Sequence, residues 1–162
     1  MQAKSILKLI LLTTTLLLFV ILSACSKPSP EKLQQLLFKA VKDDDVGSVR
    51  ALIKQGADVK APEAQGGWST LHYAARNGNE EIVSILLASG ADPNYDGAAS
   101  GQKGTIVNLK PIVLAEAKLV LIEQANPFIV FQDPAEEKRM KDPKSKEKYK
   151  RVIEILKKAT QP

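Results

Sequence analysis

The chain has 162 residues, 44% of them apolar and 25% charged, which excludes wholesale disorder and allows one domain with a modest core. The formal net charge is +5, but ten Lys or Arg against five acids fall between Glu136 and Lys158, so the surplus is one basic end on a near-neutral body. A nucleic acid, a membrane surface and an acidic partner each fit such an end, and so does a solvated lysine-rich helix face, the ordinary use of lysine.

The first element is a short basic start, Lys4 and Lys8, followed by the apolar run Leu9 to Leu22, broken only by Thr13, Thr14 and Thr15. At about 14 residues the run has the length of a secretory h-region and is short of the ~20 that a spanning helix needs. It closes on Leu22-Ser23-Ala24-Cys25, whose cysteine is the only one in the chain.

These four residues resemble the lipobox of bacterial lipoproteins. The resemblance implies removal of residues 1–24, a covalent lipid on Cys25 and tethering in the cell envelope, with no other cofactor. Ser26 points to the periplasmic face of the outer membrane. Two or three acyl chains at ~0.8 kcal/mol per buried methylene would anchor the protein essentially permanently. The tether from Cys25 to Pro30 reaches at most ~18 Å at ~3.6 Å per residue. With Cys25 acylated, neither a disulfide nor a nucleophilic thiol remains.

Pro30 opens a predicted helix over "PEKLQQLLFKAVKD". The chain then repeats itself: "LFKAVKDDDVGSVRALIKQGADV" matches "LHYAARNGNEEIVSILLASGADP" at a constant offset of 34 residues. Each unit reads as a short helix rich in small residues, a turn, and a second helix with apolar positions at helical spacing, such as Ile82, Val83 and Leu86. Asp45 and Asn79 stand where N-caps belong, and Gly56 and Gly90 where helices end.

The stretch "GWSTLHYAARNGNEEIVSILLASGADPN" resembles the ankyrin repeat. Ser69-Thr70-Leu71-His72 stands at the family's Thr-Pro-Leu-His, with Thr70 in place of proline, and Gly90-Ala91-Asp92-Pro93-Asn94 at its Gly-Ala-Asp-x-Asn. A degraded third unit follows, with "KPIVLAEAKLVLIEQA" at an offset of 41 and "RVIEILKKA" at an offset of 70, which implies an insertion at about 124–149; the alternative is that helix 112–125 is simply long and the C-terminal helix an unrelated cap. The resemblance implies an all-α ankyrin solenoid of about three helix-turn-helix units with hairpin loops, approximately 31–63, 64–97 and 104–162. Lys157 at the place of Leu87 suits a terminal repeat that faces water.

No catalytic constellation is present. His72 is the only histidine, so a metal site or a Ser–His pair lacks partners, and the resemblance gives it a structural role in the turn. Asp43-Asp44-Asp45 lacks the spaced oxygens of a calcium loop, and the glycines of "DGAASGQKGT" form no P-loop. The expectation is therefore a protein that is not an enzyme.

Recognition remains. In ankyrin proteins the variable exposed positions lie on hairpin tips and on the inner face of the first helices. Carried over, these are Gln65, Gly66, Trp68, Arg76, Asn77, Lys42, Asp43 and Lys118. Trp68, at a tip, is either an outward anchor or part of the packing. The insertion, with "NPFIVFQDP", is either a second contact region or a self-packing cap. Tethering and binding together suggest an immunity protein that neutralises a secreted antibacterial effector, such as a periplasmic phospholipase toxin. The alternative is an envelope scaffold for a resident enzyme.

Overall fold

The computed structural model describes residues 28–63, 67–100, 106–124 and 134–161. The predicted signal segment, Cys25, Gln65, Gly66 and most of "NPFIVFQDP" lie outside the described residues.

Helix α1, Pro30–Lys42, starts where sequence chemistry places it: Ser29 accepts from the Lys32 backbone N–H at 3.2 Å and Pro30 needs no helical donor. It buries Leu33, Leu37, Phe38, Ala40 and Val41, a stripe at i, i+3 and i+4. Asp44 turns the chain with φ +58°, a conformation aspartate tolerates better than most residues. Asp45 then caps α2, Val46–Lys54, by accepting from Ser48 N–H at 3.0 Å. The second unit repeats the design in α3, Thr70–Asn77, and α4, Glu80–Ala88, with Asn79 accepting from Ile82 N–H at 3.1 Å. Gly56 and Gly90, at φ +100° and +91°, close α2 and α4 in a region that penalises other residues.

The enlarged loop after α4 forms a two-stranded antiparallel ladder, β1 (Gly97–Ser100) and β2 (Ile106–Leu109), with Gly97 opposite Leu109. Helix α5, Pro111–Glu123, follows, then α6, Pro134–Lys141, and α7, Ser145–Thr160. The first helices α1, α3 and α5 pack in one row, and α2, α4 and α7 in a second. The third unit is thus α5 paired with α7, and α6 lies in the chain between them.

Burial repeats with the offsets read from the sequence. Ala40, Ala74 and Ala115 are buried in the first row, and Leu52, Leu86 and Leu156 in the second. The architecture is the all-α ankyrin solenoid of three units, with hairpin loops and an interruption in the last.

One boundary differs from expectation. Helix α7 begins at Ser145, inside the stretch read as insertion, and Tyr149 is buried to 2% exposure. Its ring lies over Gly78, where an added Cβ would come within 2.9 Å of it, and its hydroxyl donates to the Arg76 carbonyl at 2.7 Å. Gly78 leaves α3 at φ +72°. The aromatic ring therefore fills the space above a glycine turn, and this contact holds an extra turn of α7 against the second repeat.

Candidate protein-binding face

The inner face is built on α1, α3 and the loop that joins the first two units. Between α1 and Pro62–Glu63 runs an open groove of about 670 Å³, lined among others by Gln35, Phe38, Lys39 and Lys42. At its edge the Lys42 ammonium bonds the Glu63 carboxylate at 2.6 Å and lies 4.5 Å from the centre of the Tyr73 ring. Tyr73 donates its hydroxyl to the other oxygen of Glu63. Burial pushes the Glu63 carboxyl up, but the bonds from Lys42 and Tyr73 outweigh it, so its pKa sits below the ordinary value. Burial, and then Glu63, push the Tyr73 phenol up. The result is a held ion pair on an aromatic floor, since Phe38 meets Tyr73 edge-on at 5.9 Å.

The residues expected to face a partner divide. Lys42 and Asp43 are exposed at the groove, where Lys39 pairs with Asp43 one turn away. Trp68 is half-buried rather than an outward tip: it stacks on His72 at 5.9 Å and meets Tyr73 edge-on at 5.3 Å. Its buried indole N–H has no acceptor among the described residues. Asn77 is half-buried and its amide donates to the Val41 carbonyl at 3.2 Å, the Lys42 carbonyl at 3.3 Å and Asp44 at 3.1 Å. Asn77 thus closes the end of α1 from the neighbouring repeat. Arg76 is half-buried at the end of α3. Lys118 is half-buried on α5, its pKa lowered to about 8 by burial and by the cations Arg76 and Arg139.

His72 has the turn-ordering role. Its Nδ1 accepts from Ser69 N–H at 3.2 Å, and its Nε2–H donates to the Leu109 carbonyl at 2.7 Å, tying the second unit to the hairpin before the third. Burial lowers its pKa, against the pull of the Leu109 carbonyl and Asp96. Thr70, in the place of proline, donates to the Val59 carbonyl at 3.3 Å and so bonds the preceding loop.

Sequence reasoning missed Glu63, Tyr73 and Arg139. Tyr73 had a signal: its counterparts at the repeat offsets are Lys39 and Leu114, and a position that varies where its neighbours recur faces outward. Arg139 had none, because its place depends on the path of the insertion. No group of acids, histidines and cysteines among the described residues is arranged to hold a metal ion. No described helix is long and apolar enough to cross a membrane.

A family profile for ankyrin repeats in three copies matches residues 9–96. This chain belongs to the ankyrin-repeat family. The match ends one residue before β1, so α5 and α7 are seen as a third unit through packing and burial.

Among similar proteins, the human 2-5A-dependent ribonuclease is 48% identical over 58 residues, covering 36% of this chain and 8% of the relative. The mitochondrial disaggregase of Bos taurus is 41% identical over 70 residues, covering 43% of this chain and 10% of the relative. Human ankyrin repeat domain-containing protein 39 is 35% identical over 77 residues, covering 41% of this chain and 42% of the relative. The chain spans less than half the length of each, and the activities in the first two names belong to proteins of which it matches a tenth or less. Ankyrin repeats are generally a non-catalytic fold for binding other proteins, and this chain is a protein-binding module.

Proposed function

We propose that this chain is a lipid-anchored binding module of the bacterial cell envelope, without catalytic activity, that neutralises a secreted antibacterial effector such as a periplasmic phospholipase toxin. The observation that carries the reading is the position of the groove. It opens on α1, the helix that follows the short tether from Cys25, with Glu31 of its first turn among the lining residues. A partner seated there is held within tens of ångströms of the membrane, where an enzyme that attacks lipid must work.

The ion pair of Lys42 and Glu63 supports a protein ligand. Both side chains keep water access, at 41% and 28% exposure, while their geometry is fixed in advance. A surface that needs no reordering loses less entropy on binding. The groove also offers charge of both signs beside an aromatic floor, as protein interfaces do.

The test has two arms. Residues 26–162, which contain every described core residue from Leu33 to Leu156, serve as bait in extracts that contain secreted effectors. Retention of one lytic enzyme with loss of its activity supports the proposal; retention of an enzyme that stays active contradicts it and favours a scaffold. Separately, Cys25→Ser should move the full-length protein from the membrane to the soluble fraction, and continued membrane retention would sink the anchor.

A further inference from the structure

The insertion builds a second concavity. Between α6 and the first turn of α7 lies a groove of about 550 Å³ whose walls carry Lys138, Arg139, Lys141 and Lys148 against a single acid, Asp142. We infer that this groove is the docking site for an acidic segment of the protein partner. The inference rests on the protein-binding reading above and names the chemistry that a second contact would have.

The walls are held in place by bonds among themselves. Ser145 donates its hydroxyl to the Arg139 carbonyl, and Asp142 accepts from Lys144 N–H at 2.9 Å, which fixes the turn between α6 and α7. Arg139 is held by Asp44 of the first unit at 3.0 Å, so the cations that can turn to a ligand are Lys138, Lys141 and Lys148. Lys141 pairs with Glu137 at an exposed position, where a pair contributes little and exchanges readily, and Lys148 pairs with Asp142 at a half-buried one. No carboxylate among the described residues pairs with Lys138. The start of α7, a helix of 16 residues, adds the positive end of its dipole.

A bilayer is flat on this scale and meets only the rim of a recess. Glutamate and aspartate side chains of a peptide are narrow enough to enter it and pair with cations presented from two helices.

The probe is a fluorescein-labelled twelve-residue peptide of alternating Glu and Ala, titrated with residues 26–162. Binding should weaken with salt and fall about tenfold in K138E/K141E, whereas K54E/K158E, with the same net charge, should change it less than twofold. K138Q/K141Q should fall between, and melting curves of each variant report whether it is folded. Equal loss in both charge-reversed pairs would reduce the effect to net charge and overturn the site, as would absence of binding. Vesicles of phosphatidylglycerol form the other arm: binding to them that depends on Lys138 and Lys141, without peptide binding, overturns the inference in favour of a lipid headgroup. If the wild-type bait retains its partner and K138E/K141E retains it equally, the docking site falls and the binding function stands. If neither retains any protein, the functional reading itself falls.

Discussion

Arg139 donates to Asp44 at 3.0 Å across 95 residues of chain, linking the insertion of the third unit to the turn of the first. The same guanidinium donates to the Lys42 carbonyl at 3.3 Å, one of the carbonyls left open at the end of α1. Asp44 also accepts from Asn77 and Asn79 of the second unit, at 3.1 and 3.4 Å. A single carboxylate in a left-handed turn of the first unit therefore gathers donors from the second and third. Each repeat in a solenoid touches only its neighbours, so this contact adds a closure that the stack alone lacks.

Removing it should loosen α6 first. Arg139→Ala should cost about 1–2 kcal/mol, the scale of hydrogen bonds to charged groups at half-buried sites. Hydrogen exchange should speed up in Pro134–Lys141 while α2 and α4 keep their protection. Uniform acceleration across the array would show that the contact is a general strut and not a local latch.

The same substitution should be felt at Lys118. Burial first, and then Arg76 and Arg139, hold its ammonium down, so losing Arg139 should raise its pKa only part of the way from about 8 towards 10.5. NMR of 13C-methylated lysines can follow the titration in the wild type and in Arg139→Ala. An unchanged titration would mean that Arg139 has no part in the shift, which burial and Arg76 then set.

Acid should destabilise the array through His72. Its pKa is lowered in the folded state, so the unfolded chain binds the proton more readily. Its contribution is complete above the unfolded value of 6.5 and is lost as pH falls from there through the folded value. Protonation also removes the Nδ1 acceptor of Ser69. The shifts of Asp45, Glu63 and Asp142 act lower, below about pH 4.5, because these carboxyls are held beneath their ordinary values. Urea midpoints should therefore fall between pH 7 and pH 5 in the wild type and stay nearly flat there in His72→Gln. Equal slopes would remove His72 from the account.

Tyr149 and Gly78 offer a test of the third unit. Tyr149→Phe loses one hydrogen bond and should cost about 1 kcal/mol. Tyr149→Ala also opens a cavity over Gly78 and should cost about 3 kcal/mol or more. Gly78→Ala should be comparably damaging, since it combines a left-handed φ with an approach of 2.9 Å to the ring. Tolerance of both changes, read from thermal melts, would contradict the packing of α7 on the second unit.

The array was legible because its signals are local and redundant. Asp45, Asn79, Gly56 and Gly90 each state a helix end within a few residues, and the offsets of 34 and 70 carry the buried positions from unit to unit. The face was less legible. Trp68 and Asn77 sit at positions that vary in such repeats, yet one stacks on His72 and the other closes α1. Trp68 packs on rings of its own unit and Asn77 on the end of the preceding one, and a position within one repeat does not reveal whether its side chain turns outward or sideways. The bond between Arg139 and Asp44 was beyond reach for the same reason, as no periodicity constrains an insertion. Trp68→Ala is accordingly a poor probe of binding, because it disturbs the stack as well as the surface.

The most direct test of the central claim leaves that stack intact. Gln35 and Lys39 are exposed on α1 and line the groove without entering the core. Baits of the wild type and of Q35R/K39E, both checked by melting, would be passed through the same effector-containing extract, and the activity of any retained lytic enzyme would be assayed. The account predicts one enzyme held and inhibited by the wild type, with both retention and inhibition reduced about tenfold or more in the variant. Equal retention by the two baits, or an enzyme that remains active when bound, would contradict it.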